Sequence, residues 1–478
     1  MITVREVDAR VVRVATRLPF RYGIAEMTAA PHVVLEVVLV DDAGRFGRGW
    51  ASEQLPPKWF TKDPTSSFSD DLQGLVGVIE HAISRARGAR AATAFDLWHR
   101  LDIEQMRWAE REGVPGLLAG LGTALVERAI IDAVCRLSAI PFVGALHEGV
   151  LGFDPARLHP ELNDVAWRED LPALPASSVG VRHTVGFADA LTDADVTDGP
   201  RDGLPVSLAG VLDTYGVSYL KVKTAGDAAA DRSRLARIFE VCAGSGIRPQ
   251  LTLDGNESMR DGAELQAWMR RLLSDPAVGP SLRASLIAVE QPVHRDRALS
   301  GELSDVLAAL REDGVAVIID ESDSDVAAVR RALDLGYAGG TYKGCKGVFR
   351  GLANAVLVVR RGKVGPPTLM TAEDLATLPP LTVAQDLVVA AAMGLTHIER
   401  NGHHYFGTLA PLSPDIAAQA CERHPDLYRA DDRVGARLRI EHGRLSFATA
   451  MDAPFGFEPA LDLTRLAPLS LAAARASC

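Results

Sequence analysis

The chain is poor in cysteine, with five residues (Cys135, Cys242, Cys345, Cys421 and Cys478) in 478. Their odd number and wide spacing exclude a disulfide scaffold and a zinc-ligand pattern, so a reducing, cytoplasmic setting is expected. Positive charge is not in excess: 51 Lys and Arg face 62 Asp and Glu, a net charge of -11. A nucleic acid or an anionic membrane surface would call for a basic face, so neither is expected as a partner. Long apolar runs are missing too. Stretches such as Leu387 to Leu395 are too short to span a bilayer. The N-terminal MITVREVDARV carries acidic residues and no extended apolar core, unlike a secretory signal. What remains, 47% hydrophobic and 24% charged residues, is an ordinary globular composition, long enough for two or more domains.

Residues 1–150 read as a mixed α+β unit. Ile2 to Ala15 and Val33 to Val40 are rich in β-branched residues and predict strands. Asp41-Asp42-Ala43-Gly44 predicts a turn, with a return strand over Arg45 to Trp50. Apolar residues three and four apart predict a helix over Leu72 to Arg87, and Leu117 to Leu137 predicts a buried connecting helix. Four prolines between 150 and 180 (Pro155, Pro160, Pro172 and Pro175) predict a long loop, functional or disordered.

From there a regular pattern sets in. Short apolar runs that end in polar residues alternate with helical stretches: Val181 to Val185, Ser218 to Lys223, Gln250 to Asp254, Leu286 to Glu290, Ala316 to Asp320, Gly339 to Lys343, Thr368 to Thr371 and Thr396 to Glu399. Successive polar ends lie 31, 36, 30 and 23 residues apart from Lys223 to Lys343, the length of a strand, a helix and two loops. Eight units predict an α/β protein, a (β/α)₈ barrel over 151–410, whose strand C-termini build the site. Residues 411–478, with a helical start at Ser413 to Arg423 and two strand-like pieces, are expected to fold back on the N-terminal unit as a capping domain.

The polar strand ends carry the chemistry. Asp254, Glu290 and Asp320 close three consecutive strands and can converge on one ion. Hard oxygen ligands with room for water and substrate suit Mg²⁺, with Mn²⁺ as an alternative. Glu321, on the opposite face from Asp320, and Asn256, after Asp254, are expected to support the ligands, as is Glu257. Lys221 and Lys223 share one face of their strand, and each is expected to push the other's pKa down towards neutrality, as a general base requires. Lys343 ends a strand four units round the barrel and approaches from the other side, with Lys346 one step beyond. Gly344 and Gly347 around Cys345-Lys346 lack the spacing of a phosphate-binding loop. These parts suit removal of a proton α to a carboxylate, with the negative charge stabilised by metal and ammonium.

The segments KVK, LDGN, VEQP, IDES and YKGCKG resemble the enolase superfamily. Within it they look most like the muconate lactonizing enzyme subgroup of the mandelate racemase/muconate lactonizing enzyme family. Leu18 to Gly23 resembles that family's first lid loop, and Gly47 to Glu53 the segment leading into its second. The resemblance covers about residues 1–410. It implies that Asp254, Glu290 and Asp320 bind Mg²⁺, that Lys223 and Lys343 are an opposed acid/base pair, and that Lys221 tunes Lys223 and meets the substrate carboxylate. A small-molecule carboxylate substrate and assembly into a homo-oligomer are expected.

The eighth strand region, His397 to Tyr405, lacks the Asp-x-Asp with which dipeptide epimerases of the subgroup hold an ammonium, so the substrate stays open. Tyr22, Lys346, Glu399 and His403 are candidate substrate contacts. His183, His294 and His404 are further histidines near the mouth. The seventh strand shows no His for a His/Asp dyad; Glu373-Asp374 follow it instead. A racemase or epimerase is the leading expectation. A lyase or cycloisomerase with one base is the alternative, and a non-catalytic acid-binding barrel the third.

Overall fold

β-branched residues alternating across two faces make the first strands long. Ile2–Tyr22, Ala25–Asp41 and Phe46–Gln54 form an antiparallel meander. The structure, a computed structural model, describes residues 1–197, 199–373, 378–406, 414–459 and 461–478. The turn after Asp41 forms as expected: Asp41 Oδ1 accepts from the backbone N–H groups of Ala43 and Arg45, and Gly44 takes φ +76°. Residues 18–22, expected as a loop, instead continue the first strand. They pair up to the turn at Gly23-Ile24 after a register shift between Ala15 and Phe20. The hairpin is thus paired strand up to its tip.

Helices Phe68–Ala86, Ala94–Glu112 and Gly116–Ser138 accompany the meander. The third is buried without a break from Leu117 to Cys135, because both of its sides are covered. On one side Gly49 of the meander lies so close that a Cβ there would sit 2.2 Å from Ala129 O. On the other, Glu127 accepts from the N–H groups of Val348 and Phe349 at 2.9 and 2.8 Å, the first residues of the barrel helix Val348–Val364. The helix therefore joins cap to barrel.

The barrel has eight parallel strands in chain order: Ser178–Val185, Tyr219–Lys223, Gln250–Asp254, Leu286–Glu290, Val317–Ile319, Gly339–Tyr342, Leu369–Glu373 and His397–Glu399. The last pairs with the first, His397 opposite Gly180, and closes the ring. All eight fall where the alternation placed them. The seventh runs two residues further than its apolar stretch suggested, to Glu373.

The proline-rich segment after residue 150 packs as short 3₁₀ turns at Pro155–Arg157, Pro160–Leu162 and Trp167–Glu169, with Leu158, Leu162, Trp167 and Leu171 buried. Proline opens the first two turns, where its missing N–H costs nothing. Asp170 pairs with Arg360 and Lys363, and His159 meets Asn354 Oδ1 at 2.9 Å, so the segment is strapped to the barrel wall. The C-terminal residues divide between the two units. Ala467–Pro468 pairs with the first strand of the meander, while Arg444–Ser446 pairs with the first barrel strand. The boundary expected at 410/411, the helix start at Ser413, and Asp374 lie outside the described residues. No helix among the described residues is long and apolar enough to cross a membrane.

Candidate active site

Barrel closure brings the polar strand ends to one mouth. Lys221 and Lys223, two apart on the second strand, both point inward and are buried. Asp254 closes the third strand and lies 2.5 Å from Lys223 Nζ and 3.0 Å from Lys221 Nζ. Glu290 closes the fourth, with Oε1 accepting from Lys221 at 2.8 Å. Asp320 follows the fifth. Its Oδ2 accepts from Lys343 and its Oδ1 from Lys346, at 2.7 and 2.8 Å.

Gln291 keeps the fourth and fifth strands in register at this level. Its Oε1 accepts from the N–H groups of Asp320 and Ser322, and its amide donates to Val293 O and Ser322 Oγ. Gln291 holds φ +36°, and Asn256 and Glu257 hold +39° and +63°, so three residues beside the carboxylates stand in the left-handed region. Such strain collects at functional sites.

Lys221, Lys223 and Lys343 line one pocket together with Asn256, Glu399, Asn401 and, from the cap, Phe20, Tyr22, Met27, Pro56 and Trp59. The cap tips therefore overlie the barrel mouth. The Trp59 ring centre is 4.6 Å from Lys343 Nζ, a cation–π contact. Tyr22 donates its hydroxyl to Pro57 O at 2.8 Å, so its polar end ties one cap loop to the other and its ring faces the pocket.

Asn256 supports the acidic group from both ends: its backbone N–H donates to Asp254 Oδ1 at 2.9 Å and its side chain to Glu321 Oε1 at 3.2 Å. Burial and the charge of Asp320 push Glu321 up to about 7. Glu257, expected beside the ligands, turns to the cap. It pairs with Arg295 at 2.8 Å and Lys62 at 3.5 Å. Arg295 in turn donates to Phe60 O and Trp59 O, at 2.9 and 3.0 Å. It is a latch on the cap loop that the sequence reading missed, since nothing local marks an arginine as the partner of a loop some 235 residues away.

Replacing Arg295 with Ala removes both loop hydrogen bonds, at about 1 kcal/mol each. Amide hydrogen exchange over residues 56–62 should then speed up by about tenfold or more with the barrel unaffected; unchanged exchange would mean that other contacts hold the loop.

Two further candidates lie away from the pocket lining. Lys346 spends its ammonium on Asp320 and on Thr341 O and Oγ1. His403 is buried behind the wall, 3.2 Å from His183 Nδ1, and burial with the neighbouring His183 holds its pKa well below the usual histidine range. Glu399 does line the pocket, where it accepts from Thr184 and, at 3.3 Å, from Lys221. His294 caps the short helix Arg295–Ala298.

The expected drop in pKa is not seen at Lys221. Burial favours the neutral amine of Lys221, but Asp254, Glu290, Glu373 and Glu399 outweigh it and hold the group well above its ordinary value. Lys343 is raised likewise, burial being outweighed by Asp320 and Glu373. The second lysine is a smaller influence than the crowd of carboxylates. Those carboxylates split: Lys221 and Lys223 overcome burial to lower Asp254, while burial and Glu373 raise Glu290 well above the ordinary range.

Glu373 itself is the largest omission of the sequence reading. It ends the seventh strand, fully buried, in contact with Lys221 at 2.6 Å, Lys343 at 3.1 Å and Arg182 at 2.9 Å. One oxygen each from Glu290, Asp320 and Glu373 lie within 4.8 Å of one another. An all-oxygen set of this kind fits a hard divalent cation.

No protein-family profile matches the chain. A stretch of 93 residues, 19% of the chain, is 34% identical to the L-arabinose isomerase of Acidothermus cellulolyticus, and covers 18% of that curated relative. Solved structures are similar over nearly the whole chain. A mandelate racemase/muconate lactonizing protein from Herpetosiphon aurantiacus is 20% identical, with a TM-score of 0.58 over 94% of this chain and 96% of that one. An N-succinyl Arg/Lys racemase from Bacillus cereus is 14% identical, with 0.57 over 94% and 96%. An enolase from Bradyrhizobium, complexed with magnesium and mandelic acid, is 18% identical, with 0.56 over 93% of each chain. The chain has the capped (β/α)₈-barrel fold of the mandelate racemase/muconate lactonizing enzyme family.

Proposed function

We propose that this protein is an enzyme that removes and returns a proton α to a carboxylate, a racemase or epimerase of a small carboxylate. The observation that carries the reading is the pair of lysines, Lys223 at the end of the second strand and Lys343 directly after the sixth. They stand four strands apart round the ring and line one pocket. With one lysine as the free amine and the other as the ammonium, a substrate α-carbon between them loses its proton to the first on one face and gains one from the second on the other. Lys221, which lines the same pocket, is the proposed contact for the substrate carboxylate. Asp254, Glu290 and Asp320 are the proposed holders of Mg²⁺ or Mn²⁺, supported by Asn256 and Glu321. Such a cation, when bound, stabilises negative charge that develops on a carboxylate. The magnesium in the Bradyrhizobium structure supports this choice.

The cap residues Phe20, Tyr22, Met27 and Trp59 give the pocket an apolar, aromatic roof. They exclude water from the ammonium groups, which strengthens every charge interaction beneath. In this closed arrangement about 30 Å³ of free space remains, room for little more than a water or two, so a substrate needs the cap loops to part.

The test is exchange of the α-proton in D₂O, followed by NMR with Mg²⁺ present, across paired isomers of 2-hydroxy acids, N-acylated amino acids and dipeptides. Mandelate and the N-succinyl derivatives of arginine and lysine belong in the set because similar folds are associated with them. Exchange with inversion of at least one pair is expected. If none of the set exchanges while a member binds, the chain is a binding protein and the proposal fails.

A further inference from the structure

Glu373 has no part in the proton transfer proposed above, yet it sits at its centre. As a counter-ion alone it would need only to reach Lys221, Lys343 and Arg182. It also lies within the reach of a single ion from Glu290 and Asp320. Asp254 stands outside that set, its carboxylate taken up by Lys223 and Lys221.

A second, independent observation points to a ligand. Glu290 is 0% exposed, and its Oε2 accepts no hydrogen bond from any described residue. In its ionised form, a buried carboxylate with an oxygen that has no donor, packed among further carboxylates, costs free energy on two counts, lost solvation and like-charge repulsion. A cation at the common focus of the three groups removes both. Arg182, fully buried, holds Glu373 Oε1 at 2.9 Å and donates also to Ala372 O, which fixes the direction of the carboxylate much as outer partners orient ligands in metal sites.

We propose that Glu373 is a metal ligand, contributed by the seventh strand and acting with Glu290 and Asp320 on one divalent cation. The inference rests on the reading that this site takes such a cation, and adds to it a carboxylate outside the Asp254, Glu290 and Asp320 set. Glu373 then has two tasks. Without metal it neutralises Lys221 and Lys343; with metal it turns part of its charge to the ion, which loosens its hold on both lysines.

The experiment uses the full chain, stripped of metal with a chelator. Binding of Mn²⁺ is followed by the EPR signal of the free ion, and binding of Mg²⁺ by titration calorimetry, for the wild type, Glu373→Gln and Glu373→Asp. The wild type should bind one ion, and both variants should bind at least about tenfold more weakly, as loss of a group in or around a metal site does. Circular dichroism checks the fold. The Asp variant keeps the charge that Lys221, Lys343 and Arg182 need, so it guards against a Gln variant that does not fold. Wild-type affinity in a folded Glu373 variant overturns this inference and leaves the proposed function standing. A wild type that binds neither ion overturns both.

Discussion

Glu290→Gln is expected to fold normally and to lose about 10³-fold or more in kcat/KM. The fold survives because the amide fits the hydrogen bonds better than the carboxylate did. Its oxygen still accepts from Lys221, which keeps Asp254, Glu373 and Glu399 as partners. Its NH₂ group replaces the Oε2 that has no donor and faces neighbouring acids. The metal-free variant should therefore melt at or above the wild-type temperature. Activity falls because a charged ligand is lost from a site built to concentrate negative charge. Several kcal/mol of charge stabilisation are at stake, at a factor of ten for each ~1.4 kcal/mol. Mn²⁺ affinity should fall at least about tenfold in parallel. Calorimetric melting, metal titration and initial rates separate the three effects. Wild-type activity in the variant would remove Glu290 from the metal centre.

The parts that the sequence made legible are those set by local periodicity. Apolar runs with polar ends at steady intervals located all eight barrel strands, and a continuous apolar stretch located the buried helix through Leu117 to Cys135. The lysines and acids at strand ends could be placed in one mouth because a barrel sends all strand ends the same way.

The rest depends on pairing across distance. Glu373 escaped because its strand was ended at Thr371, its last β-branched residue. A strand buried in a ring tolerates a charge at its tip if cations await it, and those cations, Arg182, Lys221 and Lys343, come from other strands. The pKa of Lys221 went the other way for the same reason. The neighbouring lysine is visible in the sequence, but the carboxylates that outweigh it are brought together only by folding. Glu257 was placed with the ligands by adjacency, yet its left-handed backbone turns it to Arg295 and the cap. Residues 18–22 read as a loop from their resemblance to a family lid loop, while pairing of residues 20–22 with 25–27 makes them strand.

Lys223→Ala and Lys343→Ala should each abolish net inversion, by about 10³-fold or more, while each retains proton exchange of one isomer. Neither change strands a buried charge. Asp254 keeps Lys221 when Lys223 is removed. Asp320 keeps Lys346, and Glu373 keeps Lys221 and Arg182, when Lys343 is removed. Both variants are thus expected to fold, and the loss is chemical. A general acid or base contributes about 10²–10⁴-fold to a proton transfer, and inversion needs both groups in turn. With one lysine gone, the survivor still removes and returns the proton on its own face, so deuterium enters the isomer whose proton points there. The two variants should show opposite isomer preferences. A lyase or cycloisomerase would behave otherwise. Loss of its one base stops all exchange, and loss of the other lysine slows the reaction without a change of stereochemical preference. NMR in D₂O, run on both isomers of a substrate identified by exchange, tells these apart. Full inversion in either variant would eliminate the two-base mechanism and leave a single lysine as the working base.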